Sequence, residues 1–164
     1  MLFRSAGFEK SGHFFFNAPL GRGYDDGLVA ALAVCDMLDR NPQKSMADLK
    51  HALPKTWQSP TMSPHCDDEI KYRVVDDVVK HFQAAREKHE KVAGQTIRDL
   101  VTVNGVRVTV EDGTWGLARA SSNKPELVVV VESPVSEARM RDMFKAVDAV
   151  LRTHAEVGAY NQTI

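Results

Sequence analysis

Hydrophobic positions change their spacing several times along this chain. From Leu28 to Cys35 they are continuous, reading LVAALAVC. Asp25 or Asp26 stands ahead of the run as an N-cap, and Asn41-Pro42 stops it. The pattern predicts a helix to about Asp39. A helix apolar nearly all round requires burial on every side. Ser45 with Asp48 predicts a short capped helix that ends before Pro54. Pro54, Pro60 and Pro64 then mark an extended linker. Beyond it, Val74, Val75, Val78, Val79 and Phe82 recur at helical spacing. Asp67, Asp68 and Glu69 put carboxylates at the start of that helix, where its dipole favours them. Gly94 is the expected C-cap.

The period then shortens to two. Val101-Thr102-Val103 and Val106 to Val110 flank Asn104-Gly105, a strong hairpin signal. Asp112-Gly113 turns the chain into Trp115 to Arg119. Leu127 to Val131 is an unbroken apolar run, which suits a central strand. Ser136 caps a last helix with the stripe Met140, Met143, Phe144, Val147, Val150 and Leu151. The tail after Gly158 is expected to fray. The fold class is therefore α+β. An antiparallel sheet of about four strands, covered on one face by two helices, occupies 54–164. A mostly helical segment, 1–53, precedes it.

Composition narrows the function classes. The chain has 164 residues and a net charge of −1, so a bulk electrostatic grip on nucleic acid or an anionic membrane is not expected. The Leu28–Cys35 run is too short to span a bilayer, and Met1 to Ser5 do not read as a signal peptide. Cys35 and Cys66 stand far apart, which argues against a disulfide framework or a zinc finger. The expectation is a reduced, cytoplasmic protein with no nucleic-acid or membrane partner.

Candidate chemistry sits in two polar loops. Gly7-Phe8-Glu9-Lys10-Ser11-Gly12-His13 holds a carboxylate, a hydroxyl and an imidazole beside glycines. Carboxylates and hydroxyls hydrogen-bond sugar hydroxyls, and an imidazole moves protons near neutral pH. The same residues also fit a plain surface turn before an aromatic strand. Arg119-Ala120-Ser121-Ser122-Asn123-Lys124-Pro125 puts a guanidinium, hydroxyls, an amide and an ammonium on one turn. Such a set suits phosphate oxygens, and it equally suits a solvated hairpin loop. His51, His81, His89 and His154 read as solvated helix-face residues, and His65-Cys66 as linker rather than metal site.

Together the two loops resemble those of the α-D-phosphohexomutases, the phosphomannomutase/phosphoglucomutase family. The first resembles the family's sugar-binding loop, usually Gly-Gly-Glu-x-Ser-Gly-His. The second resembles its phosphate-binding loop, usually Arg-x-Ser-Asn-Thr-x-Pro. Gly23-Tyr24-Asp25-Asp26-Gly27, Asn104-Gly105-Val106-Arg107 and Trp115-Gly116-Leu117 also look like family stretches, in the expected order. Phe8 replaces a usual glycine, and Ser122 and Asn123 stand where Asn and Thr are usual.

The resemblance covers nearly the whole chain and implies the end of the family's third domain over 1–53 and its fourth over 54–164. That fourth domain is TATA-box-binding-protein-like. The family moves a phosphoryl group between O1 and O6 of a hexose phosphate through a 1,6-bisphosphate. The resemblance implies sugar binding by Glu9 and Ser11. It puts His13 near the reacting end, to position substrate or assist proton transfer. It implies phosphate binding by Arg119, Ser121, Ser122 and Asn123, with charge added by Lys124. The family's phosphoserine loop and its Asp-x-Asp-x-Asp magnesium loop have no counterpart in these residues, and Asp67-Asp68-Glu69 reads as a helix start. The implied partners are a mannose or glucose phosphate and the family's preceding domains, or a separate chain that carries them. Mg²⁺ is implied for the whole family enzyme and no cofactor for this chain. Two other expectations stay open: a separate module that complements a partner chain, and an unrelated α+β interaction domain.

Overall fold

The computed structural model describes residues 6–9, 12–162 and 164. It divides into two compact units, Met1–Pro54 and Lys55–Ile164.

In the first unit, strands β1 (Ala6–Phe8) and β2 (Phe14–Phe16) form an antiparallel hairpin with Gly7 opposite Phe15. Helices α1 (Gly27–Asp39) and α2 (Met46–His51) follow. Asp26 is the N-cap of α1: its Oδ1 accepts from the N–H groups of Leu28 and Val29 at 3.0 and 3.1 Å. Ser45 and Asp48 close the expected capping box of α2. No residue of α1 is buried, and Leu28 and Leu32 are 71% and 60% exposed. The all-round apolar helix thus keeps unburied the surface that its sequence would cover.

The second unit is a five-stranded antiparallel sheet under two helices. Its strands are β3 (Trp57–Gln58), β4 (Ile97–Val101), β5 (Val106–Val110), β6 (Trp115–Ala120) and β7 (Leu127–Ser133). They lie in the order β3-β7-β6-β5-β4. Helices α3 (Lys71–Glu87) and α4 (Glu137–Leu151) supply Val74, Val78, Phe82, Met143, Val147 and Leu151 to one core cluster. The strands supply Val106, Val108, Val110, Leu127, Val129 and Val131. Gly116 lets α4 approach β6: a Cβ there would stand 2.7 Å from Val147 Cγ2 and 3.1 Å from Met143 Cγ.

Four sequence expectations are corrected. The sheet has a fifth strand, because the supposed linker is part of it. Ser59 and Met62 donate their N–H groups to Val131 and Val129 at 2.9 Å, and Met62 is fully buried. Without this segment β7 would leave a row of backbone groups unpaired, and the prolines confine the segment to the edge. The carboxylates at 67–69 lie in a turn before α3 rather than in its first turn, and no side chain caps α3. Gly94 is not the C-cap of α3. His89, at φ 55°, takes the left-handed position, with Glu90 N donating to Ala85 O at 2.9 Å and His89 N to Arg86 O at 3.2 Å. That is a Schellman motif with histidine in glycine's usual place. Gly94 instead serves the turn that pairs Val92 with Gln95. The tail past Gly158 is tied down as well. Tyr160 pairs with Pro64, and its hydroxyl donates to Asp148 Oδ1 at 2.8 Å. Burial, and then the Asp148 carboxylate, push the Tyr160 phenol well above its ordinary pKa.

Gly116→Ala will overpack the α4–β6 contact at a cost of about 1–3 kcal/mol. A lower urea midpoint with an unchanged slope is the expected result.

Candidate functional site

The 119–126 turn is built where β6 hands over to β7. Ala120 pairs with Leu127 at the base, and Ser121 N donates to Glu126 O at 3.0 Å. Inside the turn Glu126 N donates to Lys124 O at 2.8 Å and Asn123 N to Ser121 Oγ at 3.4 Å. Ser122, Asn123 and Lys124 are exposed, whereas Ser121 is buried and Arg119 half-buried. Among the described residues, the N–H groups of Ser122 and Lys124 have no hydrogen-bond partner. Open backbone donors beside cationic side chains suit an anion. The Arg119 guanidinium donates one N–H to Ala120 O at 3.0 Å, which uses only part of its fork.

Two neighbours fix this turn. Gly105, at φ +77°, packs so closely on β6 that a Cβ would lie 2.7 Å from the Arg119 Cα and Cβ. The Asn104-Gly105 hairpin expected from sequence thus also abuts the residue that carries the guanidinium. On the other side, Cys66 N donates to Pro125 O at 3.0 Å, and the Lys71 ammonium donates to Lys124 O at 3.0 Å.

In the first unit, the 9–13 turn joins β1 to β2. Glu9 N donates to His13 O and Gly12 N to Glu9 O, both at 3.0 Å, with Gly12 at φ 90°. His13 Nδ1 lies 3.3 Å from Glu9 Oε2, and Nε2 lies 3.8 Å from Asp25 Oδ2. Asp25 Oδ1 also accepts from Phe14 N at 3.1 Å. The imidazole therefore stands between two carboxylates. Ser11 lies outside the described residues. Phe8, the departure from the usual glycine, meets Phe14 and Phe16 edge-on at 5.4 and 5.9 Å. Asp25 is the member of this group that sequence reasoning missed. A usable signal was there: Asp25-Asp26 offers two carboxylates to a helix start that needs one cap.

Residues 4–57 match the family description "Phosphoglucomutase/phosphomannomutase, alpha/beta/alpha domain III", and residues 68–150 match "Phosphoglucomutase/phosphomannomutase, C-terminal domain". This chain belongs to the phosphoglucomutase/phosphomannomutase family. The phosphomannomutase/phosphoglucomutase of Pseudomonas putida is 30% identical over 151 residues, which cover 91% of this chain and 29% of that protein. The phosphopentomutase of Thermococcus kodakarensis is 34% identical over 120 residues, 73% of this chain and 24% of that one. The crystal structure of a family protein from Burkholderia thailandensis aligns with a TM-score of 0.68 at 23% identity. It covers 96% of this chain and 30% of that one, and supports the fold alone. The chain therefore spans less than a third of the length of these relatives.

Among the described residues, no group of three or more His, Cys, Asp or Glu side chains could hold a metal ion. Among the described residues, too, no helix is long and apolar enough to cross a membrane.

Asp25→Ala removes the acceptor for Phe14 N. Amide exchange at Phe14 will speed up about tenfold, the effect of one lost charge-assisted hydrogen bond. The melting temperature will change little, since the group is 44% exposed.

Proposed function

We propose that these residues form the substrate-gripping part of a phosphohexomutase. The 119–126 turn holds the non-reacting phosphate of a hexose phosphate. Arg119 offers a bidentate fork, Ser121, Ser122 and Asn123 offer hydroxyl, amide and backbone donors, and Lys124 adds charge. Glu9 and Ser11 bind hexose hydroxyls, and His13 positions the reacting end or assists proton transfer. The reaction is phosphoryl transfer between O1 and O6 through a 1,6-bisphosphate. The phosphoserine and Mg²⁺ belong to segments that these residues do not include. Holding the remote phosphate restrains the sugar, so that its other end meets the phosphoryl donor in a productive geometry.

What carries this reading is the 119–126 turn, with open N–H groups at Ser122 and Lys124 beside Arg119. The residue matches to the family's two loops support it. Mannose and glucose phosphates are equally compatible with Glu9 and Ser11.

The exposed apolar surface of α1 favours a second reading, in which the chain complements a partner carrying the phosphoserine and magnesium loops. Mixing it with the first two domains of a Pseudomonas relative tests this. Mutase activity that appears only in the mixture supports complementation.

Titration with glucose 1-phosphate and mannose 1-phosphate, followed by backbone amide NMR, tests the first reading. Shifts centred on 119–126, with affinity at least about tenfold weaker in Arg119→Ala, are expected. No response at millimolar ligand in the wild-type chain would count against phosphate binding by this turn.

A further inference from the structure

One buried cation is not accounted for by the fold. Lys71 is 3% exposed and opens α3, the helix end at which the dipole disfavours positive charge. Burial of an ammonium requires partners. Local packing supplies one: Nζ donates to Asp68 Oδ1 at 2.5 Å. The other is distant in sequence. Nζ donates at 3.0 Å to the carbonyl of Lys124, inside the 119–126 turn. The Tyr72 ring centroid lies 5.2 Å from the same atom.

The Lys124 carbonyl matters to any anion that settles on this turn. It is a negative pole among donors, and it would repel phosphate oxygens if left to itself. Here it accepts twice, from Lys71 Nζ and from Glu126 N at 2.8 Å. Both bonds engage its oxygen with protein donors. The Asp68 carboxylate that pairs with Lys71 is 66% exposed, so water screens it, whereas the ammonium is shielded from solvent. Cys66 N fastens Pro125 O in parallel. Cys66 and the first residue of α3, Lys71, therefore grip two successive carbonyls of the turn.

We infer that Lys71 is a positioning residue for anion binding at the 119–126 turn, acting through the Lys124 carbonyl rather than by touching the phosphate. This rests on the phosphate-binding reading above. A buried donor held on the Lys124 carbonyl pre-organises the turn, so less of the binding energy goes into ordering it.

The test compares wild type, Lys71→Met, Lys71→Arg and Arg119→Ala, titrated with glucose 1-phosphate and with inorganic phosphate. Melting temperatures are recorded beside each titration. Lys71→Met is expected to bind about tenfold more weakly, with shifted Ser122, Asn123 and Glu126 amides before any ligand is added. Lys71→Arg, which keeps the charge and a donor, is expected to recover most of that loss. A purely structural lysine would lower the melting temperature of Lys71→Met and leave its affinity unchanged. That result would overturn the role of Lys71 while the phosphate reading stands. No response in the wild-type chain would overturn the phosphate reading, and the role of Lys71 falls with it. Should Lys71→Met fail to fold, the Lys71 side-chain ammonium resonance of the wild type gives the answer. It is expected to move with the same apparent Kd as the Ser122 amide, and an unmoved signal at saturation would overturn the proposal.

Discussion

Strand β7 has a hydrogen-bonding partner on both sides, and most of the second unit depends on that. Leu127, Val129 and Val131 face the helices and are fully buried. Ser59 and Met62 pair with it on one edge and β6 on the other. An apolar strand in this position needs each backbone group satisfied, since none can reach water. The register that satisfies them places Ala120 against Leu127. The residues of the 119–126 turn then fall between those two strands.

The supports of that turn come from three separate stretches of chain. Gly105 presses on β6 beneath Arg119, and the lead-in to α3 holds the carbonyls of Lys124 and Pro125. Exposed side chains at 122–124 thus sit on a rigid base, the arrangement that lets a loop bind with little ordering cost. The 9–13 turn of the first unit is built differently. It relies on the hairpin itself and on Asp25, which holds Phe14 N and faces His13. The two turns share the use of carboxylate or lysine side chains to fix backbone.

Much of this was legible in the chain. Valine spacing gave α3 and alternation gave β5, whereas the strand expected at Val101-Thr102-Val103 lies earlier, at Ile97–Val101, and leaves 102–105 as the connecting loop. Both polar loops were visible as clusters of residue types that resemble family motifs. The misses have different causes. The 55–65 segment has prolines and no alternation, so nothing local marks it as sheet; only the unmet hydrogen bonds of β7 recruit it. The left-handed position after the C-cap of α3 went to His89, because a Schellman bond between Glu90 and Ala85 outweighed the strain of a left-handed histidine. Asp25 looked like a cap because Asp26 beside it is one.

The sequence by itself determined the α+β class, the helix and strand types over long periodic stretches, and the two candidate loops. Those features depend on spacing and on short-range backbone preference, both written in neighbouring residues. Tertiary structure alone decided the fifth strand, the anchoring of Tyr160 and the link from Lys71 to Lys124, 53 residues further on. Each of these satisfies a buried polar group with a partner far away in the chain. No local pattern encodes such a partner, because the need for it arises only once folding has removed the water.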